Sequence, residues 1–208
     1  MTSNSEIKII LLGEAGVGKT NLITVASGGS FNYGTMSSSS GSYQEGTYKS
    51  SNGKTYDYHL WDTAGQEAYR SLNKIFIQNS KVIICVYAID NEHSFKELDF
   101  WINMVKEELG EKGYVIGIAA NKNDLYEDQV VKDEDGKNYA KNKGFKFKAT
   151  SALSDPAGFK SFLEELLVDY IKTIDPTCKD DSNKKSGFTL KAKNAGNKNG
   201  ENGKKKCC

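Results

Sequence analysis

Short apolar runs and amphipathic stripes alternate along the first 175 residues. The run "EIKIILLG" (6–13) ends in glycine and predicts a buried strand, and "GKTNLITVAS" directly after it predicts a helix. "GTYKSSNGKTYDYHLWD" predicts a hairpin turning at Asn52-Gly53. "KVIICVYA" (81–88) and "YVIGIAAN" (114–121) are continuously apolar, as strands covered on both faces are. Between them Phe95, Leu98, Ile102, Val105 and Leu109 recur at helical spacing. "FKFKAT" (145–150) predicts a further strand, and Phe159, Phe162, Leu163, Leu166, Leu167, Tyr170, Ile171 and Ile174 form the apolar stripe of a last helix. Strands alternating with helices predict a doubly wound α/β fold: a mostly parallel six-stranded sheet with one antiparallel hairpin and about five helices. In such a sheet a ligand sits at the carboxyl ends of the strands.

Periodicity stops after Ile174. Residues 176–208 are Lys, Asn, Gly and Ser with few apolar residues, a composition expected to stay disordered. The 208 residues therefore divide into one domain, 1–175, and a tail. The formal net charge of +1 is unevenly spread, because the tail has nine lysines against Asp180, Asp181 and Glu201. A weakly acidic body with a basic end argues against a nucleic-acid-binding core and points to an anionic surface, a membrane first. No apolar run approaches the length that spans a bilayer, and the start lacks a secretory signal. The four cysteines make no disulfide framework. Cys85 reads as a core thiol, and a reducing, cytosolic setting is expected.

Three motifs fall at predicted strand ends. "GEAGVGKT" comprises Gly13, Glu14, Ala15, Gly16, Val17, Gly18, Lys19 and Thr20 and matches G-x-x-x-x-G-K-[ST] between a strand and a helix. Its glycines let backbone N–H groups approach phosphate oxygens, and the helix N-terminus adds partial positive charge. Lys19 is expected to reach the β and γ phosphates, and the Thr20 hydroxyl to ligate Mg²⁺. "WDTAGQE" places Asp62 at a strand end as acceptor for a Mg²⁺-bound water, Gly65 as an unobstructed N–H for a γ-phosphate, and Gln66 to orient an attacking water. "NKND" sets Asp124 where two acceptor oxygens match the N1–H and N2 amine of guanine, a pattern adenine lacks. Asn121 would tie loops together, the Lys122 stem would cover the base, and "TSA" would present backbone N–H groups of Ser151 and Ala152 to the guanine oxygen.

On "GEAGVGKT", "NGKT…LWDTAGQE", "NKND", "VV…YA" (130–140), "TSA" and the terminal "CC", the chain resembles a Rab-family small GTPase of the Ras superfamily over about residues 6 to 175. The resemblance implies a P-loop G domain that binds GDP and GTP with Mg²⁺ and hydrolyses GTP slowly. It also implies a monomer that regulates vesicle traffic and meets an exchange factor, an activating protein, effectors, an escort protein and a GDP-dissociation inhibitor. By the same resemblance Phe31, eleven residues after Thr20, packs against the guanine. Trp61 and Phe76 match two of three aromatic positions shown to effectors, and the third falls on Gln44.

The serine run "MSSSSGSYQEG" (36–46) holds the place of the first switch loop. The family's Mg²⁺-ligating threonine maps to Ser39 when counted back from "WDTAGQE" and to Ser38 when counted forward from Thr20. Either supplies a hydroxyl without threonine's methyl, and Ser40 replaces the usual isoleucine. Ala15 keeps the small residue that hydrolysis needs, Ala88 replaces an aspartate, and Leu153 replaces a lysine near the base. The terminal Cys207 and Cys208 resemble a double geranylgeranylation signal, which gives the two-chain anchor that one lipid cannot. The expected localisation is the cytoplasmic face of an intracellular membrane, in exchange with cytosol. Two other classes stay open: a scaffold that holds nucleotide with little turnover, and a soluble or nuclear GTPase.

Overall fold

Strand β1 (Ile7–Leu12) has apolar residues on both sides, so each face demands its own cover. Ile7, Ile9 and Leu11 join one buried cluster, while Ile10 and Leu12 join the other. The computed structural model describes residues 6–34, 42–50, 52–63, 70–178 and 187–190. In it β1 lies between β3 (Thr55–Asp62) and β4 (Val82–Ala88). With β2 at Ser42–Lys49, β5 at Val115–Asn121, β6 at Lys146–Ala149 and β7 at Gly187–Leu190, the sheet order is β6-β5-β4-β1-β3-β2-β7. β4 repeats the two-faced alternation: Val82, Ile84 and Val86 point one way, and Ile83, Cys85 and Tyr87 the other.

Helices α1 (Lys19–Ala26) and α6 (Pro156–Ile174) cover the first face. On the other lie α2 (Arg70–Ile77), α4 (Leu98–Leu109) and α5 (Asp133–Lys143). The helix expected around Phe95–Leu109 is broken at Glu97, giving a short α3 (Glu92–Lys96) ahead of α4. Asp155 caps α6 by accepting from the Gly158 N–H at 2.9 Å, and Pro156 takes the first turn, where a missing N–H costs nothing. The predicted stripe buries Phe159, Phe162, Leu163, Leu166, Leu167, Tyr170 and Ile171, at ~1.5–3 kcal/mol for each large apolar side chain. Ile174, expected with them, is half exposed where the helix leaves the sheet.

The hairpin forms as expected, β2 (Ser42–Lys49) pairing antiparallel with β3 from Ser42↔Asp62 to Lys49↔Thr55. Gly53 is in the left-handed region (φ +84°), and the turn closes through Ser50 N–H to Lys54 O at 2.9 Å. Two expectations need correction. The sheet has seven strands rather than six, because β7 (Gly187–Leu190) pairs antiparallel with the outer edge of β2. Those four residues fall within the tail expected to be disordered. Composition averaged over the tail hides Phe188 and Leu190, which find apolar cover on the sheet.

Candidate functional site

The carboxyl ends of β1, β3 and β5 face one cleft of about 370 Å³. Its floor is the turn between β1 and α1, where Gly13, Gly16 and Gly18 take φ of +147°, +77° and +95°. Glycine is needed there for space as well as for backbone angle. A Cβ on Gly13 would lie 2.1 Å from the Val86 carbonyl oxygen, and one on Gly18 would lie 2.4 Å from Asn121 Nδ2.

Lys19 opens α1 and is buried, its Nζ donating to the carbonyls of Gly13 at 2.7 Å and Glu14 at 2.9 Å. Burial lowers its pKa to about 8, against the opposing pull of the Asp62 and Glu14 carboxylates. The Thr20 hydroxyl donates to Asp62 Oδ2 at 2.8 Å, joining α1 to the end of β3. One hydroxyl and one carboxylate are too few to cage a metal alone. They suit a hard cation such as Mg²⁺ that keeps waters and phosphate oxygens as its other ligands. Among the described residues no group of three or more His, Cys, Asp or Glu forms a self-sufficient metal site.

The opposite wall comes from the end of β5. Asn121 is buried and donates from Nδ2 to the Val17 carbonyl at 2.8 Å, which holds this loop against the glycine turn. It also accepts from the Thr150 hydroxyl at 3.3 Å. Lys122 sits at φ +64°, and its Nζ lies 3.1 Å from Asp90 Oδ2. Asp124 accepts a short hydrogen bond from the Ser151 hydroxyl. That bond uses one lone pair of a carboxylate with about four acceptor sites, so capacity for two further donors remains. Ser151 is itself held by N–H bonds from Leu153 at 3.2 Å and Ser154 at 2.9 Å.

Of the predicted site residues, Ala15, Gly16, Gly18, Lys19, Thr20, Phe31, Asn121, Lys122, Asp124 and Ala152 line the cleft. Gly13, Glu14, Val17, Asp62 and Ser151 stand behind them, each bonded to a lining residue. Ser38, Ser39, Gly65, Gln66, Cys207 and Cys208 lie outside the described residues. Sequence reasoning missed the lining residues Asn21, Asn32, Tyr33, Thr63 and Leu125. Asn21 and Asn32 exchange two bonds, Nδ2 to O at 3.0 Å and N to Oδ1 at 3.2 Å, and so pin the Phe31 loop to α1. Asp90 was missed as well. Thr63 stands inside "WDTAGQE" but had no role assigned to it, and no motif covers the others, whose roles depend on which loops meet.

Local packing brings a further aromatic residue beside Trp61. Tyr43, not Gln44, lies opposite Trp61 in the hairpin and packs on it at 4.8 Å, while Trp61 meets Phe76 at 6.0 Å. Gln44 faces the other way, paired with Leu60, and among the described residues its buried Oε1 has no hydrogen-bond partner. Strand pairing sets the face, so Tyr43 and Gln44, adjacent in sequence, point to opposite sides of the hairpin.

A glycine-rich anion cradle with a buried lysine, at the centre of a doubly wound sheet, defines a P-loop nucleotide-binding domain. The Ras family model matches residues 8–172. Mouse Ras-related protein Rab-26 is 33% identical over 162 residues, covering 76% of this chain and 62% of that protein. Mouse Rab-37 is 32% identical over 145 residues, covering 70% of this chain and 65% of its own length. Rab-21 of Geodia cydonium is 36% identical over 157 residues, covering 76% and 68%. The chain belongs to the Ras family and, within that superfamily, to the Rab small GTPases. It spans less than two thirds of the length of the Rab-26 and Rab-37 proteins it matches.

Proposed function

We propose that the protein is a guanine-nucleotide switch that binds GDP and GTP, hydrolyses GTP to GDP and phosphate, and regulates intracellular vesicle traffic from a membrane. The observation that carries this reading is one cleft holding both a phosphate-type and a base-type element: Lys19 within the glycine turn, and Asp124 fixed by Ser151 across from it. In that role the Gly13–Thr20 backbone and Lys19 bind phosphate oxygens. Asp124 accepts from the guanine edge, Lys122 and Phe31 flank the base, and the backbone at Ser151 and Ala152 faces the guanine oxygen. Thr20 and Ser39 (or Ser38) would ligate Mg²⁺ and Asp62 would hold it through a bound water, and the ion would supply charge neutralisation at the β and γ phosphates. Gly65 would meet the γ-phosphate, and Gln66 would orient the attacking water. Turnover is slow without an activating protein, since such sites usually borrow one charge-stabilising group.

An exchange factor, effectors, an escort protein and a GDP-dissociation inhibitor are the partners this role requires. Geranylgeranyl groups on Cys207 and Cys208 would supply the anchor. Among the described residues no helix is long and apolar enough to cross a membrane. The deciding experiment identifies the nucleotide released when the purified protein is denatured, followed by single-turnover hydrolysis. Guanine nucleotide with Gln66-dependent turnover is expected. Adenine nucleotide would overturn the base assignment, and guanine nucleotide without turnover would leave a holding scaffold.

A further inference from the structure

The outer edge of β2 is closed by a strand from the far end of the same chain, and each of its four residues meets a distinct constraint. Gly187 pairs with Lys49, where a Cβ would stand 2.8 Å from the Lys49 carbonyl oxygen and 2.7 Å from its Cβ. Phe188 is only 4% exposed and stacks on Tyr58 with ring centroids 5.1 Å apart and planes at 18°. Lys160 reaches over its ring at 5.8 Å. Thr189 meets the Thr47 hydroxyl at 2.6 Å, and its carbonyl accepts from Tyr58 Oη at 3.1 Å. Leu190 packs on the α1–α6 core.

The slot for Phe188 is built into the sheet. A Cβ on Gly46 would lie 2.2 Å from Tyr58 Cζ, so the absent side chain is what lets the Tyr58 ring lean across β2 toward Phe188. Main-chain pairing gives an added strand its affinity, and pockets for alternate side chains give it selectivity. Both are present here. The docked segment is short, and residues 179–186 tether it to the domain.

We propose that the outer edge of β2, with the slot beside Tyr58, is a strand-docking site that selects Gly-aromatic-Thr-aliphatic, and that residues 187–190 occupy it in cis and keep other strands out. A partner that uses this edge presents an extended segment of that pattern and displaces the resident one. A tether of this length holds the resident at an effective concentration on the order of millimolar, so a competing strand must bind well below that or find the resident released.

The test uses the full chain and a fluorescent peptide with the sequence of residues 184–193. Two variants empty the site: Phe188→Ala removes the slot's occupant, and Gly187→Val clashes with Lys49 only when the strand is docked. The peptide should bind both variants saturably and the unaltered protein at least about tenfold more weakly. Peptides carrying the same Phe→Ala or Gly→Val change should bind none of them. Amide exchange across residues 46–49 should rise in both variants and fall again with peptide. Equal binding to all three proteins, or binding to none, overturns the proposal. So does an unaltered protein that is a dimer and becomes monomeric in the variants, since the strand would then come from a second copy. None of these readings depends on which nucleotide is bound.

Discussion

Lys19 is buried with two carbonyl partners, and its pKa of about 8 lies below the ordinary lysine value. The free protein therefore binds fewer protons at this site than the unfolded chain does between about pH 8 and 10.5, and the folded state gains stability as pH rises through that window. An anionic phosphate in the cradle favours the charged form and reverses the shift. Nucleotide binding should then take up a fraction of a proton, near zero at pH 7 and approaching one at about pH 9. Calorimetry in two buffers of different ionisation enthalpy measures it, and pH-independent uptake would place Lys19 away from the phosphates. Asp124 carries the complementary prediction at the base. Asp124→Asn replaces an acceptor with a donor, so guanine affinity should fall by up to ~10⁴ while xanthine nucleotides gain. Competition binding of GDP against XDP decides it, and unchanged GDP affinity would remove Asp124 from the base site. Both residues stand out in the sequence because a short motif sets their spacing. Asp90, Asn21 and Asn32 do not, because each acts through a loop distant in sequence or carries no motif.

The β2–β3 hairpin is tied to the end of α6 at Asp175. That carboxylate accepts from the Thr177 hydroxyl, from Tyr56 Oη at 2.8 Å and from Lys54 Nζ at 3.2 Å. These bonds, Thr177 first and then Tyr56 and Lys54, hold its pKa well below the usual carboxylate range. A depressed carboxylate pKa contributes stability that is present above the unfolded value and lost as pH falls through the folded one. Asp175→Asn should therefore melt a few degrees lower than the unaltered protein near neutral pH, and the gap should close in strong acid. Thermal unfolding followed from pH 7 downward tests this, and a gap that is constant with pH would mean the charge is not the cause. The link has consequences for the site as well. β3 ends at Asp62, which accepts from Thr20, so the hairpin also connects the end of α6 to the phosphate side of the cleft.

For the whole molecule, the membrane anchor we propose is the pair Cys207 and Cys208. Changing both Cys207 and Cys208 to Ser should release the protein to the soluble fraction despite its lysines, because a polybasic segment without lipid is a weak anchor. Fractionation of cells expressing the variant reads this, and continued pelleting would assign the anchor elsewhere. The sequence by itself determined the alternation of strands and helices, the two-faced core of β1 and β4, and the order of the three loop motifs. These are local: periodicity reports burial, and glycine spacing reports a backbone that must approach something closely. Tertiary structure alone decided that Tyr43 rather than Gln44 joins Trp61, that Asn121 braces Val17, and that Asp90 meets Lys122. It also decided that residues 187–190, polar by the average of their surroundings, form the seventh strand. The physical reason is the same in each case: register and pairing join residues far apart in the chain, and the energy that selects them comes from a partner surface that exists only after folding.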